Sequence, residues 1–142
     1  MGKYRFLENV AIADSAFEAQ GESLADLFQT CAQATFEVMA DTSTIEPKLK
    51  EDVELAGENL EELLFDWLAE LIYLKDSKSM LFGKFEIRIE QDEGSKLFAT
   101  VWGEPADQKK HKVRVDVKAV TYHLLEVKQV NNMWTAKVVL DT

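Results

Sequence analysis

The sequence predicts an α+β fold: a single two-layer domain with two helices packed against a mixed, largely antiparallel sheet. Three observations point there. Two long stretches carry apolar residues at helical spacing, each opened by a capping residue. The second half of the chain is a run of short alternating segments joined by turn residues. No repeat or linker divides the chain, so residues 1–142 read as one domain with helices and hairpins segregated along it. A chain of this size buries roughly two-thirds of its unfolded surface, enough for a core that needs no disulfide or structural metal.

Lys3–Glu8 alternates around Tyr4 and Phe6 and reads as a first strand, and Ser15–Gln20 as a second ending at Gly21. Asn9–Asp14 between them reads as a turn or bend. Ser23 can cap a helix, with Asp26 able to reach back toward the cap. Leu24, Leu27, Phe28, Cys31, Ala32, Thr35, Val38 and Met39 form its apolar stripe. This helix is expected to end near Asp41, with Pro47 excluding continuation. Lys50–Leu55 reads as a third strand. Asn59 opens a second helix with Glu62 at the capping-box position, and a broad stripe from Leu60 to Ile72 predicts deep burial. Lys75–Ser79 reads as a loop. Lys84–Gln91 and Lys96–Gly103 alternate as strands around the turn Asp92-Glu93-Gly94-Ser95, where Gly supplies positive φ. Glu104–Lys112 reads as a polar loop, Val113–Val117 as a strand, Lys118–Val127 as a strand with broken alternation, and Met133–Leu140 as the last strand after an Asn131-Asn132 turn.

Charge is the strongest bulk signal. Lys and Arg number 16 against 26 Asp and Glu, a net charge of −10. Nucleic-acid backbones are bound by cationic patches that release counterions, so a chain this acidic is not expected to bind RNA or DNA directly. Such acidity commonly serves solubility alone; the sharper reading is an acidic face that meets a basic protein. No secretory leader and no membrane span is legible, and the lone Cys31 reads as a buried thiol in a reducing compartment. These features predict a cytoplasmic protein with no membrane partner.

The residues offer little catalytic equipment. No phosphate-binding glycine loop and no Cys or His spacing of a zinc site occurs. Asp14, in a weakly polar stretch, reads either as a turn residue bonded to nearby backbone or as a ligand. Asp141, after Val138-Val139-Leu140, reads either as a solvated terminal acid or as a second ligand. Spacing does not say whether the two meet. Were they about 4 Å apart they would repel by ~4 kcal/mol at an effective dielectric near 20, so that one takes a proton or a cation sits between them. Carboxylates and carbonyls are hard oxygen ligands that suit Ca²⁺ or Mg²⁺. His123 admits a general acid–base reading or a structural or interface one. Trp67, Trp102 and Trp134 read as core or half-buried residues.

Lys118–Val127 (KAVTYHLLEV) closely resembles the signature segment of the archease family. Phe36–Asp41 (FEVMAD), Asp66–Leu74 (DWLAELIYL), Gly103-Glu104-Pro105 followed by His111, and Ala136–Asp141 (AKVVLD) match the family in the same order. The similarity covers nearly the whole chain. It implies a non-enzymatic protein that activates the RtcB-type RNA ligase of tRNA splicing, promoting guanylylation and multiple turnover and broadening nucleotide use. It also implies a divalent metal, calcium with magnesium or manganese as alternatives, held by Asp14, Asp141 and a main-chain oxygen of Thr142. Lys118, Tyr122, His123 and Glu126 are then expected to border the surface the ligase meets, on a monomer. The chain departs from the family pattern where Ala11 and Ile12 stand in place of His and Thr, and Gln20 in place of an aromatic, leaving Asp14 fewer polar neighbours. Two competing readings stand beside this one: a chaperone-like interaction module, and a metal-dependent hydrolase that would need Asp14, Asp141 and His123 together.

Overall fold

The computed structural model describes residues 2–8 and 14–142. The bend expected over Asn9–Asp14, with Ala11 and Ile12, lies outside the described residues except for Asp14. Eight strands and three helices follow in the order β1 (Lys3–Leu7), β2 (Asp14–Gly21), α1 (Leu24–Met39), β3 (Leu49–Gly57), α2 (Leu60–Lys78), β4 (Met80–Gln91), β5 (Ser95–Pro105), α3 (Gln108–His111), β6 (Ala119–Val120), β7 (Glu126–Val130) and β8 (Met133–Asp141). The α+β class with two long helices holds. The strands divide between two sheets rather than one, and every pairing among the described residues is antiparallel. One sheet runs β1-β2-β8, with β6 and β7 pairing successive parts of the far edge of β8; the other runs β3-β5-β4.

Both helices start where their capping residues predict. Ser23 Oγ accepts the Asp26 N–H at 3.1 Å, and the Asp26 carboxylate accepts the Glu22 N–H at 3.0 Å, one residue earlier than in the usual capping box. Asn59 Oδ1 accepts the Glu62 N–H at 2.8 Å. The helix α1 packs against β2 and β8 of one sheet and β4 of the other, while α2 covers the three-stranded sheet and reaches β6 and β7. The result is one apolar cluster joining both sheets, with Trp67, Phe28, Phe36 and Phe82 wholly buried. Trp67 Nε1–H donates to the Phe28 carbonyl at 3.0 Å, so the largest core side chain also ties α2 to α1. Cys31 is fully buried, and burial pushes its thiol well above the usual range, away from reactivity. No helix among the described residues is long and apolar enough to cross a membrane.

Three local expectations are corrected. Lys75–Ser79 is not a loop: α2 continues to Lys78 and stops at Ser79, which adopts the left-handed conformation at φ 53°. This last full turn is sustained because Lys75, only 8% exposed, donates to Asp116 Oδ1 at 2.5 Å and to the Val117 carbonyl at 3.1 Å. Val113–Val117 is not a strand despite its alternation. Val113 and Val115 face solvent, and Arg114 gives its N–H to the Met39 carbonyl at the end of α1 instead of to a neighbouring strand. Finally, Lys118–Val127 is not one strand. Only Ala119–Val120 pairs; a turn follows, with Leu124 at φ 57° and the Leu125 N–H on the Tyr122 carbonyl, before β7 begins at Glu126. That turn is the physical cause of the broken alternation.

Candidate functional site

The register of the five-stranded sheet determines which polar residues meet. In β2 the odd positions Phe17 and Ala19 face the core, as do Ala136, Val138 and Leu140 in β8. The intervening residues face away, and antiparallel partners share a face. Asp14 is paired in register with Asp141, so two residues 127 positions apart stand directly opposite one another on the outward face. Directly opposed residues hold their Cβ atoms about 4.5–5.5 Å apart. Both are half-buried, and neither carboxylate has a hydrogen-bond or ion-pair partner among the described residues. Like charges at this spacing oppose sheet pairing, and the arrangement is therefore an oxygen-rich corner suited to a hard cation.

The signature segment frames that corner. Ala119 is the partner of Asp141 on the other side of β8, and the Lys118 N–H donates to the Asp141 carbonyl at 2.8 Å. Thr121 gives its N–H (3.1 Å) and its hydroxyl (2.9 Å) to the Val139 carbonyl, pinning the strand before it turns. Lys118 is thus brought beside the aspartates, and Thr142 follows Asp141 at the same end. The turn carries Tyr122 and His123 outward. Tyr122 is 64% exposed, yet its ring lies flat on Phe65 of α2, with centroids 3.8 Å apart and planes 2° from parallel. His123 is exposed and does not join the aspartates: among the described residues no three His, Cys, Asp or Glu side chains converge as metal ligands. Glu126 lies elsewhere, paired with Lys137 on β8, four residues or roughly 14 Å along the strand from Asp141. The four expected interface residues therefore split into Lys118 at the aspartate corner, Tyr122 and His123 at the turn, and Glu126 on the middle of the sheet face.

A second polar cluster was visible in the sequence only as a matching motif. Glu104 and His111 are 4% and 0% exposed. His111 Nδ1 accepts the Asp107 N–H at 2.9 Å, so the ring proton sits on Nε2 and is donated to Glu104 Oε2 at 2.9 Å. The same Glu104 oxygen accepts the Glu46 N–H at 2.8 Å, and its other oxygen accepts Lys110 Nζ at 2.9 Å. These donors, His111 foremost, hold the Glu104 carboxyl well below the usual carboxylate range. Both nitrogens of His111 are occupied and its ring is sealed from solvent, so the cluster fastens the α3 loop to β5; it has no free group for chemistry.

Sequence reasoning missed the outward cations of the five-stranded sheet. Lys3 and Arg5 of β1, Lys128 of β7 and Lys137 of β8 line one groove of about 550 Å³ together with Glu18 and Glu126. The spacing of two between Lys3 and Arg5 was the only local signal among these four; register alone brings Lys128 and Lys137 to them.

Comparison with known proteins follows the same outline. The sequence pattern of the archease protein family matches residues 4–142. Protein archease of Sulfurisphaera tokodaii is 39% identical over 141 residues, covering 99% of each chain. That of Methanothermobacter thermautotrophicus is 41% identical over 130 residues, covering 91% of this chain and 92% of its own. The solution structure of a Methanobacterium thermoautotrophicum protein superposes with a TM-score of 0.86 at 38% identity, covering 98% of both chains. A Thermotoga maritima archease, described as a possible chaperone, shares the fold with a TM-score of 0.63 at 22% identity, covering 97% of this chain and 98% of its own.

Proposed function

The chain belongs to the archease family, and from that premise we propose that it is a non-enzymatic activator of an RtcB-type RNA ligase in the cytoplasm, acting as a monomer. In this role it promotes guanylylation of the ligase, sustains multiple turnover and widens nucleotide use in tRNA splicing. The observation that carries the reading is the in-register opposition of Asp14 and Asp141. Two carboxylates that face one another and have no partner among the described residues fit a divalent cation such as calcium, or magnesium or manganese, with Thr142 supplying a main-chain oxygen. A bound cation would neutralise the pair and leave coordination positions for oxygen ligands from outside the chain.

The chain's own residues supply the rest. Asp14 and Asp141 are held at fixed separation by the β2–β8 ladder, with the Lys118 N–H fixing the Asp141 carbonyl. Tyr122, stacked on Phe65 and therefore pre-oriented, offers an aromatic anchor at the turn after β6 at small entropic cost. The net charge of −10 disfavours direct RNA binding and favours a cationic protein surface.

The test adds purified protein to its ligase and measures guanylylation of the ligase histidine. Wild type should raise the rate, Asp14→Ala and Asp141→Ala should remove the gain, and the protein alone should join no RNA. Absence of stimulation by wild type would sink the reading. A chaperone-like module is the second reading, favoured by the exposed Tyr73, Tyr122 and Leu124. Capture of many unrelated clients with no ligase among them would support it.

A further inference from the structure

We propose that the groove across the outward face of β1, β2, β8 and β7 binds a compact oligophosphate chain, free or carried on a nucleotide. The rungs of this face, followed from strand to strand, have distinct characters. One rung reads Arg5, Glu18, Lys137, Glu126. It alternates in sign and is internally paired: Arg5 bonds Glu18 at 2.9 Å, and Lys137 lies 4.0 Å from the same carboxylate. The neighbouring rung reads Lys3, Gln20, Thr135, Lys128. It has a cation at each end, two neutral hydrogen-bonding side chains between them and no acid. Lys128 rests against Glu126 at 3.3 Å, but both side chains are largely exposed, and such surface pairs are weak enough to exchange for a better anion.

The groove thus holds four cations and two carboxylates in a chain whose net charge is −10. Its outermost strands are three strand spacings apart, roughly 14 Å. The flexible stems of Lys3 and Lys128 let both ammonium groups turn inward over the Gln20 amide and Thr135 hydroxyl. The Thr135 hydroxyl donates to the Lys128 carbonyl at 3.3 Å, a long exposed bond that a phosphate oxygen can replace. Two charged donors, the Gln20 amide and this rotatable hydroxyl then match a short run of phosphate oxygens. A volume of about 550 Å³ is that of a small-molecule cleft.

Charge range decides between a compact anion and a long one. Screening confines the groove's field to about 8 Å at physiological ionic strength. A di- or triphosphate lies wholly within that distance of the cations. An RNA strand would leave the groove and run over the acidic remainder of the surface. Gln20 places a hydrogen-bonding amide at the centre of this rung.

The test uses the full chain in chelator-containing buffer, so that the aspartate corner plays no part. Inorganic tripolyphosphate is titrated by calorimetry and by amide chemical-shift mapping. One-site binding that shifts Gln20 and Thr135 is expected, weakened about tenfold or more in Lys3→Glu/Lys128→Glu and unchanged in Lys50→Glu on the other sheet and in Asp14→Asn. Retained binding in Asp14→Asn separates this site from the proposed ligase-activating corner. ATP binding as tightly as tripolyphosphate supports recognition of the phosphate chain alone; tighter ATP binding supports the same site with an added contact to the nucleoside. No binding, shifts that bypass the groove, persistence in the double variant, or preference for a single-stranded RNA over tripolyphosphate would each overturn the assignment.

Discussion

The outward faces of the two sheets solve the same problem differently. On the three-stranded sheet the rungs read Lys50-Trp102-Lys84, Asp52-Thr100-Glu86 and Glu54-Phe98-Arg88. Lys84 Nζ sits 4.6 Å from the centre of the Trp102 ring, and the Arg88 guanidinium carbon 4.6 Å from that of Phe98. Thr100 donates its hydroxyl to Asp52 at 2.9 Å. The central aromatics are covered by the chain's own cations, and the polar groups turn toward one another. On the five-stranded sheet one end sets Asp14 against Asp141, and the other leaves Lys3 and Lys128 flanking neutral residues. The cations Lys84 and Arg88 of this three-stranded face are engaged by its own aromatics. A surface that places like charges together gives up some stability and gains a place where a partner's charge is welcome.

The sharpest way to break this contrast is to exchange the functional outcome between the faces. Asp141→Ala is expected to reduce ligase stimulation by about tenfold or more, the loss expected of a group contributing at least ~1.4 kcal/mol to the productive complex. Arg88→Ala on the three-stranded sheet should leave stimulation at the wild-type level. Guanylylation assays with both variants at matched folded concentration decide it. Loss of stimulation with Arg88→Ala would mean that the aromatic face, not the aspartate corner, meets the ligase.

The next effect concerns stability alone. His111→Ala removes the ring that accepts the Asp107 N–H and donates to Glu104, leaving the buried Glu104 carboxylate and the part-buried Asp107 N–H each short of a partner. A loss of roughly 2–4 kcal/mol follows from such orphaned groups, or about 6–12 °C in Tm for a domain of this size. Ligase stimulation by the surviving folded fraction should persist, because the cluster lies on the α3–β5 junction and touches neither aspartate. Thermal unfolding by circular dichroism measures the first outcome, and the guanylylation assay the second.

The same cluster sets the acid limb. Glu104 is held below its ordinary range by the His111, Glu46 and Lys110 donors, and Glu46 and Glu37 are lowered as well, Glu46 chiefly by Lys110 and Glu37 by Thr42 and Arg114 against a burial effect that raises it. A carboxyl whose folded pKa is depressed contributes stability above the unfolded value, about 4.3 for Glu, and loses it as pH falls through the folded value. Denaturant midpoints should therefore fall steadily below about pH 4.3. Glu104→Gln should be less stable at neutral pH but show a shallower decline on acidification. An equally steep decline in the variant would place the acid-sensitive group elsewhere.

Much of the fold was legible because its signals are local. Ser23, Asn59 and Gly94 act within a few residues of themselves, and the expected helix starts and the β4–β5 hairpin appear where those residues require them. What was not legible depends on distant partners. Val113–Val117 alternates as a strand does, but Arg114 found the end of α1. Lys75 looked like a loop cation because nothing nearby in sequence announced Asp116 across 41 positions. For the candidate site, the residue types of Asp14 and Asp141 could be singled out, but their opposition is a property of register. Shifting β2 by one residue against β8 would turn Asp14 to the other face. The cation rung was missed for the same reason: Lys3, Gln20, Thr135 and Lys128 become neighbours only through three separate strand pairings.

The smallest expected effects carry opposite signs and probe the contrast most finely. Arg88→Ala should destabilise by about 0.5–1 kcal/mol, the usual worth of an exposed cation–π contact. Asp14→Asn in metal-free buffer should stabilise by about 0.2–1 kcal/mol, because like charges directly opposite on paired strands are destabilising and the amide removes that repulsion while keeping the shape. Adding calcium should reverse the order, since wild type gains binding free energy in the folded state that Asp14→Asn cannot. Urea denaturation of both proteins with and without calcium reads all four values. If Asp14→Asn is destabilising without metal, the carboxylates already have a partner within the fold, and the aspartate corner is no more exposed to a partner's charge than the aromatic face.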